Sequence, residues 1–482
     1  FKPYVDYFNS MEDENIAQAI PNARASQWME ENIPLFECSQ KNFEEMYYYR
    51  WWTLRKHIKE TPVGYGMTEF LVNRSYADKY NLIACAIGHH IYESRWLRNP
   101  EYLNQIIHTW YRGNEGGPMA KMTKFSSWNA DAVLGRYMVD GNKEFLLDMV
   151  KDLEAEYARW EKTNRLPNGL YWQGDVQDGM EESISGGRRK QYARPTINSY
   201  MYGNAKALSL IGIMTGDEGM AMKYGLKADS IKTLVQDKLW NTDHHFFETM
   251  RGDASAEVRE AIGYIPWYFN LPDASSKYTV AWKEVMDEKG FSAPYGLTTA
   301  ERRHPEFRTH GVGKCEWDGA IWPFASAQTL TAMANFMNNY PQTVLTDSVY
   351  FHQMERYVES QHHRGRPYIG EYLDEVTGYW LKGDQERSRY YNHSTFNDLM
   401  ITGLIGLRPR MDNTVEVNPL IPEGKWDYFC LDNVLYHGRN LTILWDKDGS
   451  RYQRGKGLHI YVDGKEVGHA DTLTRVLCEN VL

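Results

Sequence analysis

Cysteine is scarce and scattered in this chain. Only five of its 482 residues are cysteines, and none of them forms a C-x-x-C pair. An odd, dispersed set of this kind argues against both a disulfide framework and a zinc ribbon. The five positions are Cys38, Cys85, Cys315, Cys430 and Cys478. We expect them to be buried packing residues.

Long hydrophobic runs and blocks of positive charge are also missing. No stretch reaches the roughly 18 consecutive apolar residues that a membrane span needs, so none is predicted. Acidic residues outnumber basic ones by 64 to 54, and the formal net charge is -10. Without a Lys/Arg block to follow phosphates, nucleic acid is not an expected partner. The first residue is Phe1 rather than Met, so a signal peptide or an upstream domain could have been removed.

Aromatic residues, by contrast, are abundant. They make up 14% of the chain and include 16 Trp and 34 Tyr. Rings with an apolar face and a polar rim line sugar-binding clefts as well as protein cores. We expect most of these rings in the core and the remainder in a carbohydrate-binding cleft.

The pattern from residue 41 to 409 is helix, turn, helix. In 143–161 the apolar residues recur at three- and four-residue spacing, which places them on one helical face. Turn signals divide this region into four antiparallel helical pairs. The turns lie at 99–100, 140–142, 215–217 and 338–341. Such an array predicts a mainly α fold, a closed (α/α)6 toroid, as the catalytic unit.

The residue pattern differs on either side of this helical region. Residues 410–482 contain short β-branched and aromatic segments separated by turns such as Asp463-Gly464. This alternation predicts a small C-terminal antiparallel β appendage, sandwich-like in form. Residues 1–40 are predicted to be a leader that packs on the barrel.

Two segments gather acids among aromatic residues and glycines. The first, QGDVQDGMEESISGG (173–187), carries Asp175, Asp178, Glu181 and Glu182. The second, YIGEYLDEVTGYW (368–380), carries Glu371. In a toroid, loops from distant parts of the chain meet at one end. Two carboxyl groups facing each other across an aromatic pocket can cleave a glycosidic bond, one as proton donor and one as base.

These segments resemble motifs of inverting (α/α)6-barrel glycosidases, namely the trehalases and glycoside hydrolase family 63. DGMEES (178–183) is similar to their G-W-D-x-S motif, which implies that Glu181 is the general acid, with Glu in place of the usual Asp and Asp178 as the alternative. GEYLDEVTGYW resembles the segment that carries their base, which implies that role for Glu371. Two further motifs occur in the same order, ARPTIN (193–198) and WDGAIWPF (317–324).

Within that group, two more segments resemble the mannosylglycerate-hydrolase-like bacterial enzymes. They are YYYRWWTLRKHI (47–58) and YYNHSTFNDLMITGLIGLRPR (390–410). Glycoside hydrolase family 142 is a further candidate among these bacterial glycosidases. The resemblance implies a bacterial, periplasmic or secreted enzyme of polysaccharide degradation.

Geometry and resemblance together nominate a set of substrate-binding residues. They are Arg50, Trp51, Trp52, Lys79, Trp172, Asp178, Arg194, Asn198, Trp317, Asp318, Trp322, Tyr372 and His393. The histidine pairs 89–90 and 362–363 are poor metal ligands, because adjacent side chains on a helix point about 100° apart. We expect no catalytic metal and no cofactor, and a structural Ca²⁺ is left open.

The sequence therefore predicts an exo-acting, inverting glycoside hydrolase whose partner is a carbohydrate. Three alternatives remain open: a polysaccharide lyase, a phosphorylase, and a binding module without catalysis. A lyase acting on a polyanion would be repelled by the acid-rich loop. The sugar, the linkage and the oligomeric state are not given by the sequence.

Overall fold

The computed structural model describes residues 1–311 and 313–482 and is dominated by helices. The α-helices are α1 (Lys2–Ser10), α2 (Ala25–Asn32), α3 (Lys41–His57), α4 (Ile87–Ser94), α5 (Pro100–Arg112), α6 (Asn129–Asp140), α7 (Lys143–Asn164), α8 (Pro195–Thr215), α9 (Glu218–Lys238), α10 (Ile265–Tyr268), α11 (Ser276–Thr279), α12 (Pro323–Asn339), α13 (Asp347–Ser360) and α14 (Asn397–Leu399). Small antiparallel sheets accompany them.

The turns between paired helices have a local cause. Between α6 and α7, Gly141 ends the first helix at φ 66°, and Asn142 caps the next by accepting a hydrogen bond from Phe145 N at 3.0 Å. In the same way, Gly216 ends α8 at φ 74°, and Asp217 caps α9. A left-handed residue at the end of one helix followed at once by an N-cap reverses the chain in two residues.

Six helices contact one another in succession. Contacts run from α4 to α6, α8, α10, α12 and α14, and α14 contacts α4. The first half of α8 is buried on all sides, as expected of an interior helix. Aromatic rings from several of these helices meet around Trp128, which lies 4.9 Å from Tyr200, 5.8 Å from Tyr268 and 6.3 Å from Phe324 between ring centroids.

The strands form one larger sheet and several short ribbons. They are β1 (Leu35–Cys38), β2 (Ile58–Thr61), β3 (Gly64–Met67), β4 (Trp172–Gln173), β5 (Tyr192–Ala193), β6 (Trp240–Asn241), β7 (Phe246–Phe247), β8 (Met250–Arg251), β9 (Ala254–Ser255), β10 (Ser292–Ala293), β11 (Gly296–Leu297), β12 (His362–His363), β13 (Arg366–Pro367), β14 (Leu407–Arg408), β15 (Val415–Val417), β16 (Tyr428–Tyr436), β17 (Arg439–Asp446), β18 (Gly457–Val462), β19 (Lys465–Ala470) and β20 (Val476–Cys478).

The largest sheet joins the two ends of the chain. Its strand order is β1-β16-β17-β18-β19, and every neighbouring pair is antiparallel. Its first strand comes from the leader, with Leu35 opposite Asp432 and Cys38 opposite Phe429. The leader therefore contributes a strand to the C-terminal sheet, and α1 of the same leader contacts α3.

The apolar pattern of the sequence also predicts helices over 81–97 and 394–406, and both are shorter in the structure. The first begins at Ile87. Tyr80 (φ 63°) and Asn81 (φ 65°) have left-handed backbone conformations that a helix cannot contain, and Ala84–Ala86 form a short 3-10 helix before α4. The helix expected over 394–406 is α14 followed by a π-helical turn at Met400–Leu404. Among the residues that the structure describes, no helix has both the length and the apolar character needed to cross a membrane.

Candidate active site

The acid-bearing segments lie directly before the N-termini of the successive helices. Residues 171–194 precede α8, residues 317–322 precede α12, and residues 371–396 precede α14. A helix N-terminus carries partial positive charge from its unpaired N–H groups, which favours nearby carboxylates. Segments distant in sequence lie close together here, since Trp322 before α12 stacks on Tyr372 before α14.

Asp178 forms a buried ion pair with Arg194. Its Oδ2 accepts a hydrogen bond from Arg194 Nε at 2.6 Å, and the hydroxyls of Ser126 and Thr196 also donate to its carboxylate. Both charged side chains are 0% exposed. Asn198 fixes the base of the same loop by donating to Tyr171 O and Arg194 O, each at 2.8 Å. Asp178 is thus shielded from solvent and holds the loop.

We expect Arg194→Met to lower the free energy of unfolding by about 3 to 5 kcal/mol, because it leaves the Asp178 charge buried without its cation. Urea denaturation followed by circular dichroism measures the change. Arg188→Met is the matched control, since Arg188 pairs with Glu182 at the surface and such pairs contribute at most about 1 kcal/mol. Equal effects of the two substitutions would contradict this assignment.

Glu181 occupies a different environment three residues further on. Its side chain is only partly buried, and the structure shows it in no ion pair with a described residue. Burial, together with the charges of Asp175 and Glu371, raises the pKa of Glu181 to about 7 against the opposing effect of Arg188. Glu181 is therefore the acid of this loop that keeps a proton near neutral pH. The neighbouring Glu182 (φ 66°) pairs instead with Arg188 at 2.7 Å.

Glu371 is buried and held by three donors. Lys382 Nζ lies 3.1 Å from Oε2, Arg387 lies 3.1 Å from Oε1, and Ser388 Oγ donates to Oε1 at 3.2 Å. These partners fix the orientation of the carboxylate. The charge of Glu371 contributes to the raised pKa of Glu181, so the two carboxyl groups interact electrostatically.

A column of stacked rings lies beside Glu371. Trp322 stacks on Trp317 at 4.5 Å and on Tyr372 at 4.6 Å between centroids, with interplanar angles of 21° and 15°. Lys382 Nζ lies over the Tyr372 ring at 5.1 Å. The His393 ring lies 6.0 Å from that of Trp322. The sequence nominated all four aromatic residues, and the structure brings them together.

Several polar atoms in this region have no protein partner. Within the described chain, both ring nitrogens of His393, Nε1 of Trp317 and Oδ1 of Asp318 are buried without a hydrogen bond. The other oxygen of Asp318 accepts from His310 N at 2.5 Å and Gly311 N at 3.2 Å. Unpaired buried polar atoms are costly unless water or a ligand meets them.

Among the remaining nominated residues, Arg50 also reaches the segment that contains His393, since it donates to Ser394 Oγ at 2.9 Å. On α3, Arg50 donates to Gln361 Oε1 at 2.8 Å, and Trp51 is completely buried. Trp52 donates to Asn9 Oδ1 at 2.8 Å, so its ring packs between α3 and the leader. Lys79 is exposed and donates to Asn114 Oδ1 at 3.0 Å, and partly buried Trp172 pairs with Ala193 in β4–β5.

Several residues at the site were not nominated from the sequence, among them the Glu371 partners Lys382, Arg387 and Ser388. Glu69 is a buried carboxyl group whose pKa responds to the charges of both Glu371 and Glu181. Cys315 lies 3.6 Å from Lys382 Nζ, and its thiol pKa is raised to about 11 by burial and then by Glu181. The segment KGDQERSR that follows Glu371 contains three basic residues and was the available signal for Lys382. Across residues 1–311 and 313–482, no group of three or more His, Cys, Asp or Glu side chains is arranged to hold a metal ion.

Two protein-family models match this chain. The family model of the mannosylglycerate hydrolase MGH1-like glycoside hydrolase domain matches residues 79–394, and that of the glycosyl hydrolase family 65 C-terminal domain matches residues 407–469. A solved structure named sialidase is 84% identical over 100% of this chain, with a TM-score of 0.99. The chain spans only 44% of the length of that protein.

More distant structures share the fold. The family 63 mannosylglycerate hydrolase from Thermus thermophilus, solved with glucose, is 12% identical with a TM-score of 0.56, over 74% of this chain and 99% of that one. The family 78 rhamnosidase of a Bacillus species is 10% identical with a TM-score of 0.58, over 86% of this chain and 40% of that one. Since the first family model covers more than half of the chain, this protein belongs to the MGH1-like glycoside hydrolase family and is a glycosidase domain.

Proposed function

We propose that this chain is an exo-acting, inverting glycoside hydrolase in which Glu181 is the general acid and Glu371 is the general base. The observation that carries the proposal is the contrast between the two groups. Glu181 has a pKa raised to about 7, whereas Glu371 is anchored as a carboxylate by Lys382 and Arg387. Pairs of acids with such different environments divide acid and base roles.

The reaction follows from those roles. Glu181 gives its proton to the glycosidic oxygen as the bond from that oxygen to the anomeric carbon breaks. Glu371 takes a proton from a water molecule, whose oxygen forms the new bond on the opposite face of the sugar. The two groups then return to their starting states by proton exchange with solvent. Neither role requires a metal ion or a cofactor.

The architecture that we propose for this chemistry is an (α/α)6 toroid. The support is the closed succession of contacts from α4 through α14 and back to α4. We propose 41–409 as the catalytic barrel, with 1–40 packed on it and 410–482 as the β appendage. The buried carboxyl of Glu371 and the unpaired polar atoms of Trp317, Asp318 and His393 favour a pocket that admits a chain end.

The name of the 84% identical protein bears on the choice of substrates. That protein is more than twice as long as this chain, so the named activity can reside in the part that this chain does not cover. A sialic acid glycoside therefore belongs in the substrate panel beside neutral aryl glycosides and oligosaccharides. We propose a bacterial enzyme of the periplasm or the exterior, on the strength of the family resemblance alone.

We expect the first-formed sugar to have the inverted anomeric configuration. Inversion needs a water between the carboxyls, which corresponds to a separation of about 6.5 to 9.5 Å. Proton NMR during the first minutes of hydrolysis measures the anomer before it equilibrates. Retained configuration would remove the inverting mechanism. A requirement for phosphate would favour a phosphorylase, and an unsaturated product would favour a lyase.

A further inference from the structure

Glu69 is a buried carboxyl group that neither catalytic role uses. Only 1% of its surface is exposed. Its Oε1 accepts a hydrogen bond from the Tyr391 hydroxyl at 2.6 Å, and the Cys85 thiol donates to its two oxygens at 3.4 and 3.3 Å. No described residue forms an ion pair with it, although Glu371 nearby has two cations. A buried carboxylate without a cation is costly, and such a group lowers that cost by keeping its proton.

The partners of Glu69 connect the two catalytic segments. Cys85 lies beneath the loop of Glu181, where a Cβ on Gly179 would meet Cys85 Cβ at 3.4 Å. On the other side, Tyr391 and Asn392 follow the segment of Glu371, and Asn392 N donates to Glu69 O at 2.9 Å. Tyr391 also packs on His393, with ring centroids 3.8 Å apart. Glu69 therefore contacts groups that support both the acid and the sugar pocket.

The two carboxylate charges that act on Glu69 disfavour its ionised form. Burial raises the pKa of Glu69 to about 8, and the charges of Glu371 and Glu181 contribute, while the hydrogen bonds from Tyr391 and Cys85 oppose the rise. The titratable and charged groups around it, from each neighbouring segment, are Arg74, Tyr76, Cys85, Glu181, Glu371 and Tyr391. Arg74 reaches this cluster through Tyr76 rather than by pairing with Glu69.

We propose that Glu69 is a third carboxyl group of the active site, a positioning residue that stays uncharged during turnover and links the loop of the general acid to the Tyr391 wall. The role of Glu69 in catalysis rests on the proposed function, whereas its protonation does not. A neutral group at this position adds no negative charge beside Glu181 and Glu371. Its loss of a proton would place a third charge among them and change its hydrogen bonds to Tyr391 and Cys85.

Glu69→Gln, a neutral substitution of the same shape, tests the protonation without any substrate. Between the unfolded pKa near 4.3 and the folded value, the native state keeps a proton that the unfolded chain loses, so ionisation progressively favours unfolding as pH rises. The melting temperature of Glu69→Gln minus that of the wild type should therefore increase from about pH 5 to about pH 8 and stay constant above that pH. Glu182→Gln, with its surface partner Arg188, is the matched control and should show no such trend. A gap that stays constant or shrinks over this range overturns the proposal.

A second measurement covers the case in which Glu69→Gln does not fold. Infrared difference spectra of the wild type should show a protonated carboxyl band that remains after the band of Glu181 is lost near pH 7 and that itself disappears around pH 8. In Tyr391→Phe the band should persist to higher pH, because the lost hydrogen bond favoured the charged form. Loss of the band well below pH 7, or no effect of Tyr391→Phe, overturns the assignment.

The pH dependence of kcat/KM then distinguishes a positioning role of Glu69 from a role in packing alone. If Glu181 and Glu69 must both keep protons, log kcat/KM of the wild type falls with a slope approaching about -2 at alkaline pH, and that of Glu69→Gln with about -1. Equal slopes in the two proteins would show that Glu69 only packs. If no glycoside is cleaved, the proposed function fails, while the melting and infrared results still decide the protonation of Glu69.

Discussion

Glu371→Gln is expected to lower kcat/KM by about 10²- to 10⁴-fold on every glycoside, whatever its leaving group. The amide cannot take a proton from water, and water activation is needed even when the departing group leaves easily. Parallel assays with an unactivated disaccharide and an activated aryl glycoside measure the two losses. A much smaller loss on the activated substrate would assign Glu371 another role.

Azide separates the loss of the base from structural damage. Glu371→Gln leaves Lys382 and Arg387 without their carboxylate, so a general disturbance of the pocket is the competing explanation. Azide attacks the anomeric carbon without losing a proton, and its addition should restore cleavage of the activated substrate and yield a glycosyl azide. Glu375→Gln, in the same segment, is the control, because Glu375 pairs with Arg308 at 2.7 Å.

Much of the helical framework could be predicted because its causes are local. Apolar spacing, the glycines that end helices and the Asn or Asp caps that begin the next ones all lie within a few residues of each other. The pairing of β1 with β16 could not be predicted in this way, since the two strands come from opposite ends of the chain. The left-handed backbone at Tyr80 and Asn81 could not be predicted either, because neither position is a glycine.

The same limit applies to the site. The sequence identified the four acids of the 173–187 loop, but their accessibility depends on distant residues. Asp178 is closed off by Ser126, Arg194 and Thr196, which the fold brings to it. Glu69 was missed because its surroundings, Cys85 and Tyr391, are separated from it and from each other along the chain. Aromatic content alone indicated a sugar cleft, and the stack of Trp317, Trp322 and Tyr372 lies beside Glu371.

The loss of activity in Glu181→Gln should depend on the leaving group of the substrate. With an unactivated glycoside we expect kcat/KM to fall by about 10²- to 10⁴-fold, because the departing oxygen no longer receives a proton. With an activated aryl glycoside the fall should be much smaller, since that group leaves as a stable anion. A plot of log kcat/KM against leaving-group pKa, nearly flat for the wild type, should become steeply negative for the variant.

The pH profile supplies the second half of this test. The acid works while it is protonated, so the activity of the wild type on unactivated substrates should decline as pH rises through about 7, the raised pKa of Glu181. In Glu181→Gln, the residual activity on activated substrates should lack that decline near pH 7. The matched comparison is Asp178→Asn, which disturbs the buried pair with Arg194 and should lower stability without changing the dependence on leaving group. If Asp178→Asn produced the steep leaving-group dependence and Glu181→Gln did not, the proton donor would be Asp178, and its enclosure by Arg194 would have to open during catalysis.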